Sequence, residues 1–240
     1  MITKTYKGRL TDLSFFICHL SFSVVLLALV SCTQDYYEKG EGKYSLMRAD
    51  LCIVHTDETK AIHYAVTDEG DSLLLKEPYT AKWLSTADTT YRALIYYNVK
   101  SESNDEKTEL ISLSRIPSAN IHRPDYFKKG IKTDPLGFES IWMGTNRRYL
   151  NLGLILMTGE TSEQITHTLG IVGDTLMHNP DGTSTYHLRL YHDQGGVPEH
   201  YSQRTYFSIP LHTLSADSVA MTINTYNGTI EKRIFIKPRK

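Results

Sequence analysis

Apolar and polar positions alternate in short runs along most of the chain, and no convincing amphipathic helix longer than two turns interrupts them. In the first half, residues 44–55, 61–67, 72–76, 91–99 and 108–114 each read as a strand. In the last of these, Leu110, Ser112 and Ser114 alternate against Ile111 and Leu113, the two-residue period of a sheet with one buried face. Asp68-Glu69-Gly70-Asp71 breaks the second strand from the third as a turn, and residues 101–106 form a polar loop. Five strands so closely spaced fit a small barrel better than an open sheet.

Residues 117–137 read as a connector, because Pro117, Pro124 and Pro135 each remove a ladder donor. The strand pattern then returns at 138–143, 149–157, 165–172, 185–191, 204–209, 219–226 and 229–237. In the fourth of these runs Tyr186, Leu188 and Leu190 point one way and His187, Arg189 and Tyr191 the other. Asn179-Pro180-Asp181-Gly182 is a turn, and Asn227-Gly228 predicts a type I′ hairpin turn between the last two strands. Seven strands over about a hundred residues predict a β-sandwich. The fold class is therefore all-β, with a small-barrel domain at 44–116 and a sandwich at 138–238.

The first 31 residues depart from this pattern. Lys4, Lys7 and Arg9, followed by Asp12, precede a mostly apolar stretch from Leu13 to Val30, and the segment ends Leu29-Val30-Ser31-Cys32. A charged start, an apolar core and a small residue before a cysteine describe a lipoprotein signal peptide. Residues 1–31 are then removed, Cys32 is acylated, and 32–43 form a tether. Two or more acyl chains on Cys32 anchor firmly in a bilayer. Thr33, in place of an acidic residue, disfavours retention in the inner membrane. Asp35, Glu38 and Glu41 resemble a diluted surface-export signal. The expected location is the outer membrane, on its periplasmic or its outer side.

Charge narrows the partners. Cleavage takes three bases and one acid from a chain of 26 Lys+Arg and 27 Asp+Glu, so the mature protein carries 23 against 26. Lys128-Lys129 and Arg147-Arg148 are isolated pairs, and nucleic acid is excluded as a partner for want of a basic stripe. Of three cysteines, Cys18 leaves with the leader and Cys32 carries lipid. Cys52 lies in the apolar run 49–54 and reads as a buried, inert thiol.

The second half is rich in histidine: His167, His178, His187, His192, His200 and His212. None is paired at a metal-ligand spacing, so they read as surface residues, and neither a metal nor a cofactor is implied. A Gly-x-Ser-x-Gly elbow is absent, and with it the usual serine-hydrolase signature. The segment 192–201 is the one loop with recognition chemistry. Asp193, Gln194, Gly195, Gly196, Glu199, His200 and Tyr201 form the candidate ligand loop, where paired glycines permit unusual backbone angles and the side chains suit a sugar or peptide.

The lipobox, the all-β first half, Arg148-Tyr149-Leu150-Asn151-Leu152 and Thr185-Tyr186-His187-Leu188-Arg189-Leu190-Tyr191-His192-Asp193 together resemble the NigD-like lipoproteins, over roughly residues 36–238. The resemblance implies an N-terminal OB domain and a C-terminal β-sandwich, and it transfers no catalytic residue. The expectation is a non-enzymatic, membrane-anchored binding or assembly module that meets the bilayer through Cys32 and an envelope protein, peptide or glycan through its domains. The family name, which derives from a bacteriocin-associated operon, implies an immunity or protective lipoprotein as the alternative. A hydrolase acting on glycans through the acids of 192–201 is the third expectation.

Overall fold

The computed structural model describes residues 44, 46–98, 107–160, 165–212 and 214–237. The leader, Cys32, the tether at 32–43 and the loop at 101–106 lie outside the described residues. Met1–Ser45 is one unit of the chain, and Leu46–Lys240 is a second compact unit that contains every strand below.

Five strands build the first lobe: β1 (Met47–Thr56), β2 (Ile62–Thr67), β3 (Ser72–Tyr79), β4 (Thr90–Asn98) and β5 (Leu110–Arg115). Their order is β3-β2-β1-β4-β5, antiparallel throughout. A parallel bridge from Leu75 to Thr108 joins the two edges. There Thr108 N donates to Leu74 O at 2.6 Å and Lys76 N to Thr108 O at 3.0 Å. The sheet thus curls into an OB-like half-barrel. Its inside is filled by alternate residues: Cys52 and Val54 of β1, Ala93, Ile95 and Tyr97 of β4, and Ile62, Ala65 and Leu113. The opposite parity of β1 and β4 (Leu51, Ile53, Arg92 and Leu94) faces outward.

The second lobe is a sandwich. β7 (Gly137–Met143), β8 (Tyr149–Thr158) and β11 (Tyr201–Pro210) form a three-stranded sheet in the order β11-β8-β7. Facing it is the sheet β13-β12-β10-β9-β6, from β6 (Ile121–His122), β9 (Thr168–His178), β10 (Ser184–Asp193), β12 (Ser218–Thr225) and β13 (Gly228–Phe235). Leu150, Leu152, Leu154 and Leu156 of β8 point inward with Phe207 and Ile209 of β11. They meet Leu188, Leu190, Ile171, Val219, Met221 and Ile223 of the other sheet. Because β11 crosses to the smaller sheet, β10 and β12 lie side by side and parallel.

Three expectations are modified. The segment 117–137 is not a free-standing connector: β6 pairs with β9, and Ser118, Thr133 and Leu136 bridge to Ser208, His192 and Thr225. Proline blocks only its own amide, so its neighbours pair, and Pro124 opens a single 3-10 turn (Pro124–Tyr126). The strand expected at 165–172 starts at Thr168 and runs to His178. The last hairpin forms where expected, but its turn is not type I′. Gly228 has a φ of 104°, whereas Asn227 is not among the non-glycine residues of positive φ. One left-handed glycine after the turn does the work that two consecutive positive angles do in type I′.

Candidate functional site in the cleft between the lobes

The outward face of β1–β4 meets the outer face of the three-stranded sheet through a buried polar clasp. Arg92 donates from Nη1 to Asp68 Oδ1 at 2.7 Å and from Nη2 to Asp68 Oδ2 at 2.5 Å. It also donates to Asn151 Oδ1 at 3.0 Å and to Ser208 Oγ at 3.0 Å. Asn151 Nδ2 donates to Asp68 Oδ2 at 2.8 Å, and Ser208 Oγ to Asn151 Oδ1 at 2.8 Å. The guanidinium lies 4.3 Å from the ring centre of Tyr149. Four side chains from four segments of the fold, two in each lobe, thus satisfy one another out of water. A buried charge persists only under that condition.

Around the clasp the backbones touch. Asn146 N donates to Asp68 O, Asn146 Nδ2 to Thr67 O, and Thr145 Oγ1 to Glu69 O. Gly144 permits this approach, since a Cβ there would overlap the Cβ and carbonyl group of Asp68.

Beside the clasp opens a cleft of about 550 Å³. Ala49, Asp50, Leu94 and Tyr96 line it from the half-barrel, with Glu69 from the β2–β3 turn. The sandwich supplies Glu139, Trp142, Arg204 and Tyr206. Register explains the floor. Trp142 and Ser208 flank Asn151 across β8, Ser140 and Tyr206 flank Gly153, and Arg204 stands opposite Ile155. Trp142 and Tyr206 meet edge to face with ring centres 6.0 Å apart. Arg204 Nη2 donates to Glu139 Oε1 at 2.5 Å. Both contacts join β7 to β11 over the central strand. A Cβ on Gly153 would come within 2.6 Å of Ser140 Oγ and 3.3 Å of Glu139 Oε2, so the glycine lets the ion pair lie low.

Most charges at the cleft are compensated locally. Asp50 accepts from Arg48 Nε at 2.8 Å and from the Tyr97 hydroxyl at 2.8 Å. Burial, and then the hydrogen bond to Asp50, push the Tyr97 phenol up to about 12. The Glu139 carboxylate raises the pKa of Arg204 further above its ordinary value.

The candidate ligand loop does not reach this cleft. Lys132 Nζ donates to Asp193 Oδ2 at 2.7 Å, and Gly195 N to Asp193 Oδ1 at 2.9 Å. Gln194 N donates to Asp134 Oδ2, and its amide group to Val197 O and Glu199 Oε1. Gly195 and Gly196 take φ of 64° and 81°, as the sequence anticipated. His200 and Tyr201 are exposed, with His200 N bonded to Thr158 O. Asp193 ties the loop to Lys132, Asp134 accepts from it, and Glu199 bonds within the loop.

One of the histidines read as superficial is buried. His192 is 2% exposed. His192 Nδ1 donates to Asp134 O at 2.8 Å and His167 Nε2 to Met157 O at 3.0 Å, because a carbonyl only accepts. The remaining nitrogens face each other at 3.0 Å. Burial lowers the pKa of His192 below its ordinary value, against a smaller rise from the Asp134 carbonyl. Among the described residues, no three His, Cys, Asp or Glu side chains converge to hold a metal ion. Cys52 is fully buried, and burial pushes its thiol up to about 12.

Fold and cleft define a class of protein: a two-lobed β module, with an OB-like half-barrel clasped to the face of a sandwich. The NigD-like C-terminal beta sandwich domain family matches residues 118–236. The chain belongs to the NigD-like family. The match begins inside the segment 117–137, in keeping with the pairing of that segment into the sandwich.

Solved structures share the whole architecture. A NigD-like immunity protein from Bacteroides caccae is 24% identical, with a TM-score of 0.59 over 77% of this chain and 91% of that one. A candidate lipoprotein from Bacteroides fragilis is 14% identical, with a TM-score of 0.57 over 81% of this chain and 99% of that one. A candidate toxin-related protein from Parabacteroides distasonis is 16% identical, with a TM-score of 0.58 over 78% of this chain and 92% of that one. At these identities the likeness is one of fold. No curated protein matches the chain.

Proposed function

We propose that this protein is a non-catalytic binding module of the cell envelope, held to the outer membrane by an acylated Cys32, and that the cleft between its lobes is the binding surface. The observation that carries the reading is the cleft itself. Trp142, Tyr206 and Tyr96 converge there with polar side chains, on walls that the Arg92–Asp68–Asn151–Ser208 clasp locks together. A concave site with aromatic walls and a few placed polar groups, already formed before the ligand arrives, is what a binding protein needs. The anchor is supported by the leader sequence and the position of Cys32.

The test is photo-crosslinking in intact cells. A photoreactive residue at position 206, in the cleft, should capture an envelope component that the same residue at position 201 does not. Equal capture at both positions, or none at 206, would remove the cleft from consideration. Fatty-acid labelling abolished by Cys32→Ala checks the anchor. Protease treatment of intact cells then separates the outer face of the membrane from the periplasmic one.

A second reading, protection against a bacteriocin, is supported by the family and by the immunity protein of Bacteroides caccae that shares this fold. It requires a deletion strain to be more sensitive than its parent in a killing assay, and equal survival would sink it.

A further inference from the structure

We infer that the cleft takes a neutral saccharide, seated on the Trp142–Tyr206 pair and hydrogen-bonded by the Glu139–Arg204 pair. This rests on the cleft being the binding surface and adds the chemistry of what fills it.

The floor is made of two bridges laid side by side over β8, one aromatic and one ionic. A pyranose ring has a matching pair of surfaces. One is a face of C–H groups, slightly positive, which packs against an aromatic ring. The other is a rim of neighbouring hydroxyls, each able to donate and to accept. A carboxylate next to a guanidinium offers one acceptor and one set of donors at that spacing, and hydrogen bonds to charged groups are the stronger kind.

Charge compensation argues against ionic ligands. Glu139 is paired with Arg204, Asp68 with Arg92, and Asp50 with Arg48. That leaves Glu69 without such a pair, and the cleft has no surplus cation to draw a phosphate and no acidic field strong enough to draw a basic peptide.

Backbone accounting argues against an extended peptide. Such a ligand gains most of its affinity by adding to a free strand edge. The floor here is made of β7 and β11 side chains laid over β8, a central strand with ladders to both neighbours. The volume, about 550 Å³, lies within the range of small-molecule sites, roughly 300–1,000 Å³.

The experiment uses the full chain, expressed in its host and extracted in a detergent that contains no sugar. Of its two tryptophans, Trp83 lies in the half-barrel. Trp83→Phe therefore makes Trp142 the sole tryptophan, excited selectively at the red edge where tyrosine does not absorb. The probes are maltohexaose, cellohexaose, xylohexaose and mannohexaose, with hexalysine and inorganic phosphate for comparison, read by Trp142 emission and by saturation-transfer NMR.

At least one hexaose should shift the emission. Tyr206→Ala and Arg204→Met should each weaken its binding about tenfold, the scale of one stacked or charge-assisted contact. Gly153→Ala, which lifts the ion pair, should do the same. Tyr201→Ala, on the same strand outside the cleft, should leave binding unchanged. Arg204 is 60% exposed at its side chain, so its variant keeps the fold. Unchanged thermal midpoints check all four.

Failure of every hexaose to bind would overturn the saccharide. If hexalysine binds instead, and the cleft substitutions abolish it, the saccharide falls while the cleft stands. A hexaose that binds the cleft variants as well as the parent would overturn the cleft itself.

Discussion

At Arg92 a guanidinium interrupts residues 91–97, a run otherwise made of Tyr, Ala, Leu and Ile, with 2% of its side chain exposed. Arg92→Met would leave Asp68 charged and buried with its main partner gone. Breaking a pair of this kind costs about 3–5 kcal/mol, and urea unfolding should show it. Arg92→Met combined with Asp68→Leu should recover part of the loss. The exposed pair Arg204–Glu139 offers the contrast, since Arg204→Met should cost less than about 1 kcal/mol. His192 gives the pH dependence. Its folded pKa is held below the ordinary value of about 6.5. Across that window the unfolded chain binds the additional proton, so stability rises with pH and falls on acidification. His192→Asn should flatten the slope of melting temperature against pH in that window, and an unchanged slope would refute the assignment. Asp134, Asp193 and His167 face the same ring.

Among the elements, those with a clean two-residue period were legible beforehand. The five strands of the half-barrel, the hairpin near the C-terminus and the turn at 179–182 follow from alternation and turn chemistry. The outer half of β9 was not legible, because Asp174 to His178 are exposed and carry no apolar stripe. Prolines hid the pairing of 117–137. The clasp left one faint trace: Arg92 and Asn151 are polar residues inside apolar runs, and a polar residue placed to be buried is the informative kind. Asp68 read only as part of a turn. The cleft was hidden for another reason. Trp142, Gly153 and Tyr206 come together through the register of three strands, which no single segment displays. The candidate loop at 192–201 attracted attention through its composition, and in the fold Asp193 and Gln194 tie it to residues 132–134 while His200 and Tyr201 stay exposed. Where turn meets turn, Gly144→Ala should push the Asp68 turn away, at a cost of about 1–3 kcal/mol for overpacking. A normal melting temperature in that variant would mean the turns can separate freely.

For the whole molecule, the clasp couples two separate hydrophobic cores, one in each lobe. Residues Leu46–Lys240 form a single compact unit. Calorimetry should therefore show one cooperative transition with equal calorimetric and van't Hoff enthalpies. Arg92→Met should split or broaden it. Two resolved transitions in the parent would mean that each lobe melts by itself. Limited proteolysis should likewise fail to release an intact half-barrel by cutting within 117–137, since that segment is paired along the sandwich.

The sealed position of Cys52 makes the protein its own clock. Under the proposed processing, in which Cys18 leaves with the leader and Cys32 carries lipid, Cys52 is the thiol that remains of the three cysteines, and it lies at 0% exposure inside the half-barrel. A maleimide cannot reach it until the sheet opens. The rate of tagging in living cells would then count openings of the first lobe one molecule at a time. The same concealment leaves the surface of the described residues without a reactive thiol, so under that processing a cysteine placed on it would be a unique address for a dye, a spin label or a cross-linker.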